Sequence, residues 1–277
     1  MTPAVLRYAA FTTVPSGGNP AGVMLDADGM SAEDMQAIAA EVGYSETAFV
    51  IPDGGAPGEF TVRYFSPLAE VPFCGHATIA AGVALDQIGE LVFHTRSGPV
   101  VVRTAESSAT LTSVEPRVAE LPSNDLAELL AALGWANEDL DPALPPRVAY
   151  AGAYHPVLAA ATRERLAALE YDFDRLKQLM NERDWTTIQL VWRESGDLFH
   201  ARDPFPVGGV VEDPATGAAA AAFGAYLREL GLVTPPATIT IRQGEDLGRP
   251  GRLTVGIPPG RAGIDVTGTA VEITSRG

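Results

Sequence analysis

The chain has 277 residues, of which 46% are hydrophobic and 19% charged, enough for two cores of ordinary size and incompatible with global disorder. Thirty-five acids against 19 bases leave a formal net charge of −16, a surface that repels phosphate backbones, so nucleic-acid binding is not expected. Cys74 is the only cysteine, which excludes a disulfide framework, a zinc cluster and a two-thiol mechanism within one chain.

Taken in chain order, residues 5–12 read as a strand, 15–20 as a turn and 21–25 as a second strand. The N-terminal stretch lacks a basic region followed by a long apolar one, so it reads as that first strand rather than as a signal peptide. Ser31 then opens a helix: Met35, Ile38, Ala39 and Val42 recur at helical spacing, Asp34 lies in the first turn, and Gly43 supplies the stop. Strands are expected at 45–51, 60–66, 91–95, 99–104 and 110–114. Residues 115–125 hold two prolines and a fresh helix cap, which makes them the expected domain boundary.

Beyond it, Leu126, Leu129, Leu130 and Leu133 form a helical stripe ending at Gly134, and 141–146 is a loop. Strands follow at 148–151 and 156–160, a helix at 173–181, and strands at 187–192, 197–201, 238–242, 252–257 and 270–273. Helices and strands mix without regular βαβ alternation, which disfavours a parallel doubly wound sheet. No apolar run approaches the roughly 18–20 residues needed to span a bilayer, and a cytoplasmic protein is expected.

Two segments nearly repeat. Residues 70–85 and 212–227 match without a gap at seven of sixteen positions: Glu70/Glu212, Pro72/Pro214, Gly75/Gly217, Ala77/Ala219, Ala80/Ala222, Gly82/Gly224 and Leu85/Leu227. Ordinary composition gives roughly one or two matches. A duplicated unit implies two similar domains with a site shared between them. In each copy a glycine precedes a helix that is small and apolar on nearly every face, and such a helix is a buried one. A curved sheet wrapped around one central helix, built twice, satisfies this pattern.

The chemistry falls near these helix starts. Neither has an acid in its first turn, so the backbone N–H groups after Gly75 and Gly217 suit an anion; the bland alternative is that both glycines only permit tight turns. Glu46 shares a strand face with Tyr44, Ala48 and Val50. Desolvated there, its carboxyl exchanges protons near neutral pH; placed at a strand end, its head simply reaches solvent. His76 and Asp213 flank the two glycines, and each either faces a substrate or caps its own helix. Cys74 and His76, two residues apart, are not expected to bring an imidazole onto a thiol. His94, His155 and His200 lack metal spacing, so no metal site is expected, and no phosphate-loop motif is present.

The residues assembled in this way resemble the PhzF-like phenazine-biosynthesis family, related in fold to diaminopimelate epimerases and proline racemases. The resemblance rests on five pieces in order. They are Gly18-Asn19-Pro20-Ala21; Ser45-Glu46-Thr47-Ala48-Phe49-Val50; Phe65-Ser66-Pro67 followed by Glu70-Val71-Pro72-Phe73-Cys74-Gly75-His76-Ala77-Thr78; Glu212-Asp213-Pro214-Ala215-Thr216-Gly217; and Gln243-Gly244 followed by Gly248-Arg249-Pro250.

It implies an α+β, diaminopimelate-epimerase-like fold of two pseudo-symmetric domains, 1–116 and 117–277, with the last strand free to return to the first domain. It implies a cofactor-independent isomerase acting on a small carboxylate in an interdomain cleft, and a homodimer. Glu46 matches the family's proton-shuttling glutamate, Gly75, His76 and Asp213 match positions lining the site, and Asn19 matches the asparagine of the Gly-Asn-Pro loop; Asn19 and, through its helix start, Gly217 are expected to bind substrate with them. Ala218 stands where the family commonly has serine, so a hydroxyl that could bind substrate is missing. Two alternatives stay open: a catalytically idle scaffold that binds a metabolite or partner, and a one-thiol epimerase or racemase pairing Glu46 with Cys74 or Asp213.

Overall fold

Strands β1 (Leu6–Ala10) and β2 (Asn19–Met24) open the structure, a computed structural model that describes residues 4–52, 56–260 and 262–274. They pair antiparallel, and the link between them depends on Gly18. Its φ is +53°, and a Cβ there would stand 2.0 Å from the Ala10 carbonyl oxygen, so only glycine fits before Asn19. Helix α1 (Ala32–Val42) follows, with the Ser31 side chain accepting the Asp34 N–H at its start and left-handed Gly43 at its end. It turns Met35 and Ala39 onto Met24, Phe49 and Phe65 and brings β3 (Glu46–Pro52) back parallel to β2.

Next come β4 (Glu59–Phe65), the two-residue β5 (Glu70–Val71), helix α2 (Gly75–Ala84), β6 (Gly89–Thr95), β7 (Gly98–Ala105) and β8 (Ser108–Thr112). These elements form one unit, which runs to Thr112 and resumes at Thr267. The returning segment is the greater part of β17 (Asp265–Glu272), which pairs with both β1 and β8. The pairings β1–β2–β3–β4–β6–β7–β8–β17–β1 therefore close on themselves. Helix α2 packs against β1, β2, β3, β7 and β8.

The second unit, Ser113–Val266, is built on the same plan. Its elements are β9 (Arg117–Glu120), α3 (Ser123–Leu133), β10 (Arg147–Tyr150), β11 (Tyr154–Ala159), α4 (Arg163–Ala167), α5 (Phe173–Arg183), β12 (Gln189–Arg193), β13 (Leu198–Pro204), β14 (Glu212–Asp213), α6 (Gly217–Glu229), β15 (Ala237–Gln243) and β16 (Gly251–Ile257). The run β10–β11–β12–β13–β15–β16 alternates antiparallel, parallel, antiparallel, parallel, antiparallel. The run β1–β2–β3–β4–β6–β7 has the same sequence of senses. Helix α6 packs against β9, β10, β11, β12 and β16, as α2 does against its own strands.

The small apolar helices are buried, as their sequences require: every residue of α6 from Ala219 to Leu227 is inaccessible, and nearly all of α2. The glycines they share let them approach the strands closely. A Cβ on Gly224 would lie 2.8 Å from Val255 Cγ1 and 2.9 Å from Ile264 Cγ2, and one on Gly82 3.1 Å from Val102 Cγ1.

Three sequence expectations need correction. Residues 117–120, read as linker, are the edge strand β9, paired with β10. Only Val118 in it is even half-buried, so it carries no apolar alternation. Strand β17 begins at Asp265, five residues earlier than expected, because a buried glycine, Gly268, interrupts its apolar pattern. Helix α4 was too short to show periodicity, and only its Thr162 cap marks it. No helix among the described residues is long and apolar enough to cross a membrane.

Candidate active site

Four of the residues singled out from sequence meet in the first unit. Asn19 opens β2, Glu46 opens the neighbouring parallel β3, Cys74 is the N-cap of α2, and His76 lies in that helix's first turn. Glu46 Oε2 is 3.4 Å from His76 Nε2 and 3.5 Å from Cys74 Sγ. Cys74 Sγ is 3.4 Å from His76 Nδ1, and the Asn19 amide nitrogen is 3.2 Å from the same ring atom. Ser45 Oγ stands 3.4 Å from Nε2. With the Asn19 amide donating to Nδ1, the imidazole proton sits on Nε2 and points toward Glu46 and Ser45. These contacts are long, as is common for catalytic groups before substrate draws them in.

Beneath the cluster, the Tyr64 hydroxyl donates to Thr78 Oγ1 at 2.6 Å, and Thr78 Oγ1 donates to the Cys74 carbonyl, also at 2.6 Å. This chain fixes the backbone of the N-cap. The Glu46 side chain is only 15% exposed, so its strand-end position does not carry the head into solvent. Burial raises its carboxyl above the ordinary glutamate value, against the lowering effect of hydrogen bonds from Ser45 and Cys74. A carboxyl poised this way can remove a proton from carbon and return it.

The proximity of Cys74 to His76 corrects the expectation drawn from their spacing. Cys74 is extended (φ −146°, ψ 117°) while the residues after it are helical, so the two side chains turn to one side of the helix start. The acid that spacing alone could not reveal is Glu46, 28 residues earlier. Each of the three offers one ligand-type atom, and these atoms lie within 4.8 Å of one another.

The other predicted residues belong to the second unit. Asp213 is not the N-cap residue of α6, which is Thr216; its Oδ2 accepts the Thr216 hydroxyl at 2.7 Å. Gln243, at the end of β15, holds this turn. Its Nε2 donates to the Asp213 carbonyl at 2.9 Å and to Thr216 Oγ1 at 3.0 Å, and its Oε1 accepts the Thr216 N–H at 3.0 Å. Gly217 and Ala218 are the first residues of α6, and neither α2 nor α6 has an acid in its first turn or a side-chain cap bond from its N-cap residue.

Asp203, which sequence reading passed over, pairs directly with Asp213 across β13 and β14 and is fully buried. Burial holds its carboxyl well above the usual range, the nearby Asp213 and Glu212 push it further, and the Thr187 hydroxyl donating at 2.8 Å opposes both. Thr187 in turn meets His155 Nδ1 at 2.9 Å, and burial pushes that imidazole down to about 4. The only sequence signal for this network was a run of polar residues inside otherwise apolar strands.

The chain is similar to known proteins along nearly its whole length. Residues 8–276 match the phenazine biosynthesis-like protein family, PhzC-PhzF. The chain is 31% identical to an uncharacterized isomerase, YfhB, of Bacillus subtilis, over 98% of this chain and 97% of that protein. It is also 31% identical to the trans-2,3-dihydro-3-hydroxyanthranilate isomerase of Pseudomonas fluorescens, over 87% of this chain and 85% of that one. Among solved structures, a Bacillus anthracis phenazine biosynthesis protein of the PhzF family superposes with a TM-score of 0.87 at 27% identity, covering 98% of this chain and 96% of that one. A probable proline racemase from Agrobacterium radiobacter K84 shares the fold alone, with a TM-score of 0.66 at 12% identity over 97% of this chain and 90% of the other.

Proposed function

The chain belongs to the phenazine biosynthesis-like PhzC-PhzF family and is an isomerase, and on that premise we propose that it moves a proton on a small carboxylic acid, without a cofactor, through Glu46 as general acid and base. The observation that carries this reading is the Glu46 carboxyl itself, desolvated on β3 with its basicity raised and with Cys74 and His76 against it. Proton transfer by such a positioned group is typically worth ~10²–10⁴-fold.

In this reading Asn19 and His76 bind the substrate from the first unit, and the uncapped start of α2 at Gly75 stabilises negative charge. The second unit carries the matching feature of its own, the uncapped start of α6 at Gly217 and Ala218, with Gln243 holding Asp213 in place beside it. The repeated strand order supports a pseudo-symmetric, diaminopimelate-epimerase-like duplication. A cytoplasmic homodimer is the form that the family resemblance favours.

One observation favours a second reading. Cys74 Sγ is close enough to Glu46 to act as a second acid or base, which would make the protein a one-thiol epimerase. Replacing Cys74 by serine separates the two: the isomerase reading keeps most of the activity, and the thiol reading loses it.

Small carboxylic acids, beginning with trans-2,3-dihydro-3-hydroxyanthranilate, should be incubated with the protein in heavy water and followed by NMR. The expected result is enzyme-dependent deuterium uptake into at least one of them. A ligand that raises the melting temperature while every acid stays unlabelled would identify a catalytically idle binder instead.

A further inference from the structure

We propose that Glu46, Cys74 and His76 also form a zinc site, through which Zn²⁺ binds the resting protein and blocks its acid/base chemistry. Zinc takes thiolate, imidazole and carboxylate ligands at about 2.0–2.3 Å in a tetrahedron, which sets neighbouring donor atoms about 3.4–3.6 Å apart. Here the three edges are 3.4 Å from His76 Nε2 to Glu46 Oε2, 3.5 Å from Cys74 Sγ to Glu46 Oε2, and 3.9 Å from Cys74 Sγ to His76 Nε2. Two edges match one face of that tetrahedron and the sulfur–nitrogen edge is longer, because the thiol lies nearer Nδ1, at 3.4 Å, so an ion enters once the Cys74 side chain turns from Nδ1 toward Nε2. Three protein ligands leave the fourth position open to water or to a substrate carboxylate. The mixture of one soft sulfur, one nitrogen and one oxygen suits Zn²⁺ and does not suit Mg²⁺ or Ca²⁺, which take oxygen.

The surroundings of the triangle resemble those of a metal site as well. A metal-bound imidazole needs a partner for its other nitrogen, and Asn19 is 3.2 Å from Nδ1. Turning that amide over presents Oδ1 as the acceptor of an Nδ1 proton, without moving the backbone. The Tyr64–Thr78–Cys74 hydrogen-bond chain holds the thiol's backbone rigid. Cys74 and His76 are buried and the Glu46 side chain, at 15% exposure, is the least covered of the three, so the way in passes beside it. The same cage thus serves protons in one state and a metal in the other.

The blocking effect rests on the role proposed for Glu46; the binding does not. The reduced, metal-stripped protein should be titrated with Co²⁺ and then with Zn²⁺. The expected result is one equivalent bound, with a sulfur-to-cobalt charge-transfer band that Zn²⁺ removes. Cys74→Ala should abolish the band, while Glu46→Gln and His76→Asn should each weaken zinc binding by about 10–100-fold or more, the scale found even for lost outer partners. His200→Asn removes the imidazole set between Glu194 and Glu245 and should leave the titration unchanged.

A readout that needs no variant is available because Cys74 is the only cysteine. Its alkylation by iodoacetamide should slow at least several-fold with one equivalent of Zn²⁺. No stoichiometric binding, or a titration that survives Cys74→Ala, overturns the site. Zinc bound at one equivalent with proton exchange undiminished overturns the blocking effect and the role of Glu46 together. Absent binding with exchange intact overturns the zinc site alone.

Discussion

Arg202 grips Glu212 with a forked pair of charge-assisted hydrogen bonds, Nη2 to Oε2 at 2.6 Å and Nε to Oε1 at 3.1 Å, and the carboxylate is only 1% exposed. The repeat holds the same fork in its other copy, where Arg63 meets Glu70 at 2.8 and 2.9 Å. The glutamate common to both segments is therefore an anchor: it ties β5 to β4 and β14 to β13 at the turn that leads into each central helix. In the second unit the anchored residue adjoins Asp213.

The two forks differ in burial, and their variants should differ accordingly. Arg202→Met strands a buried carboxylate and should cost about 3–5 kcal/mol of stability, with partial recovery in the Arg202→Met/Glu212→Gln double variant. Arg63 is 27% exposed, and Arg63→Met should cost only about 1 kcal/mol. Urea unfolding of the three variants checks this. Equal losses at both sites would refute the burial argument.

Glu46→Gln should stabilise the protein at neutral pH. Burial raises the folded-state carboxyl above its unfolded value. Between those two values the fold keeps a proton that the unfolded chain has released, so the contribution of Glu46 falls as pH rises through that window. Glutamine mimics the protonated form and has no such loss. Melting temperatures of the two proteins should coincide in acid, diverge in favour of the variant as pH rises, and stay apart by a constant amount above the folded value. A variant less stable than the parent at neutral pH, with no pH dependence, would contradict the raised carboxyl.

Gly224→Ala should destabilise by about 1–3 kcal/mol through overpacking against Val255 and Ile264, and Gly82→Ala by less, since its nearest neighbour is 3.1 Å away. Thermal unfolding of both variants measures this. A neutral Gly224→Ala would mean that the glycine is not there for close helix–strand approach.

Ala218→Ser restores a hydroxyl at the start of α6. If the substrate is the acid used by the relatives, one added hydrogen bond of about 1 kcal/mol should raise kcat/KM roughly fivefold, with little change in melting temperature. An unchanged or lower kcat/KM would remove the missing hydroxyl as an explanation of substrate choice.

Much of this was legible in the sequence, because it was written locally or twice. Ser31 and Gly43 mark both ends of α1, and the repeat placed both buried helices and both glutamate anchors. The edge strand β9 was not legible, because only Val118 in it is even half-buried and no alternation is left to detect. Within the site, Glu46 and His76 stood out by type and motif. Their meeting with Cys74 did not, since it depends on the parallel register of β2 and β3 and on the extended backbone of an N-cap. Asp203 was hard to single out for a related reason: its partners Thr187 and Asp213 are brought to it only by the folded chain.

Solvent-deuterium exchange into an accepted substrate, compared between the parent protein and Glu46→Gln, tests the proton-transfer role most directly. Exchange should fall by ~10²–10⁴-fold in the variant, while substrate binding measured by calorimetry stays within a few fold. Exchange undiminished in Glu46→Gln would show that another group moves the proton.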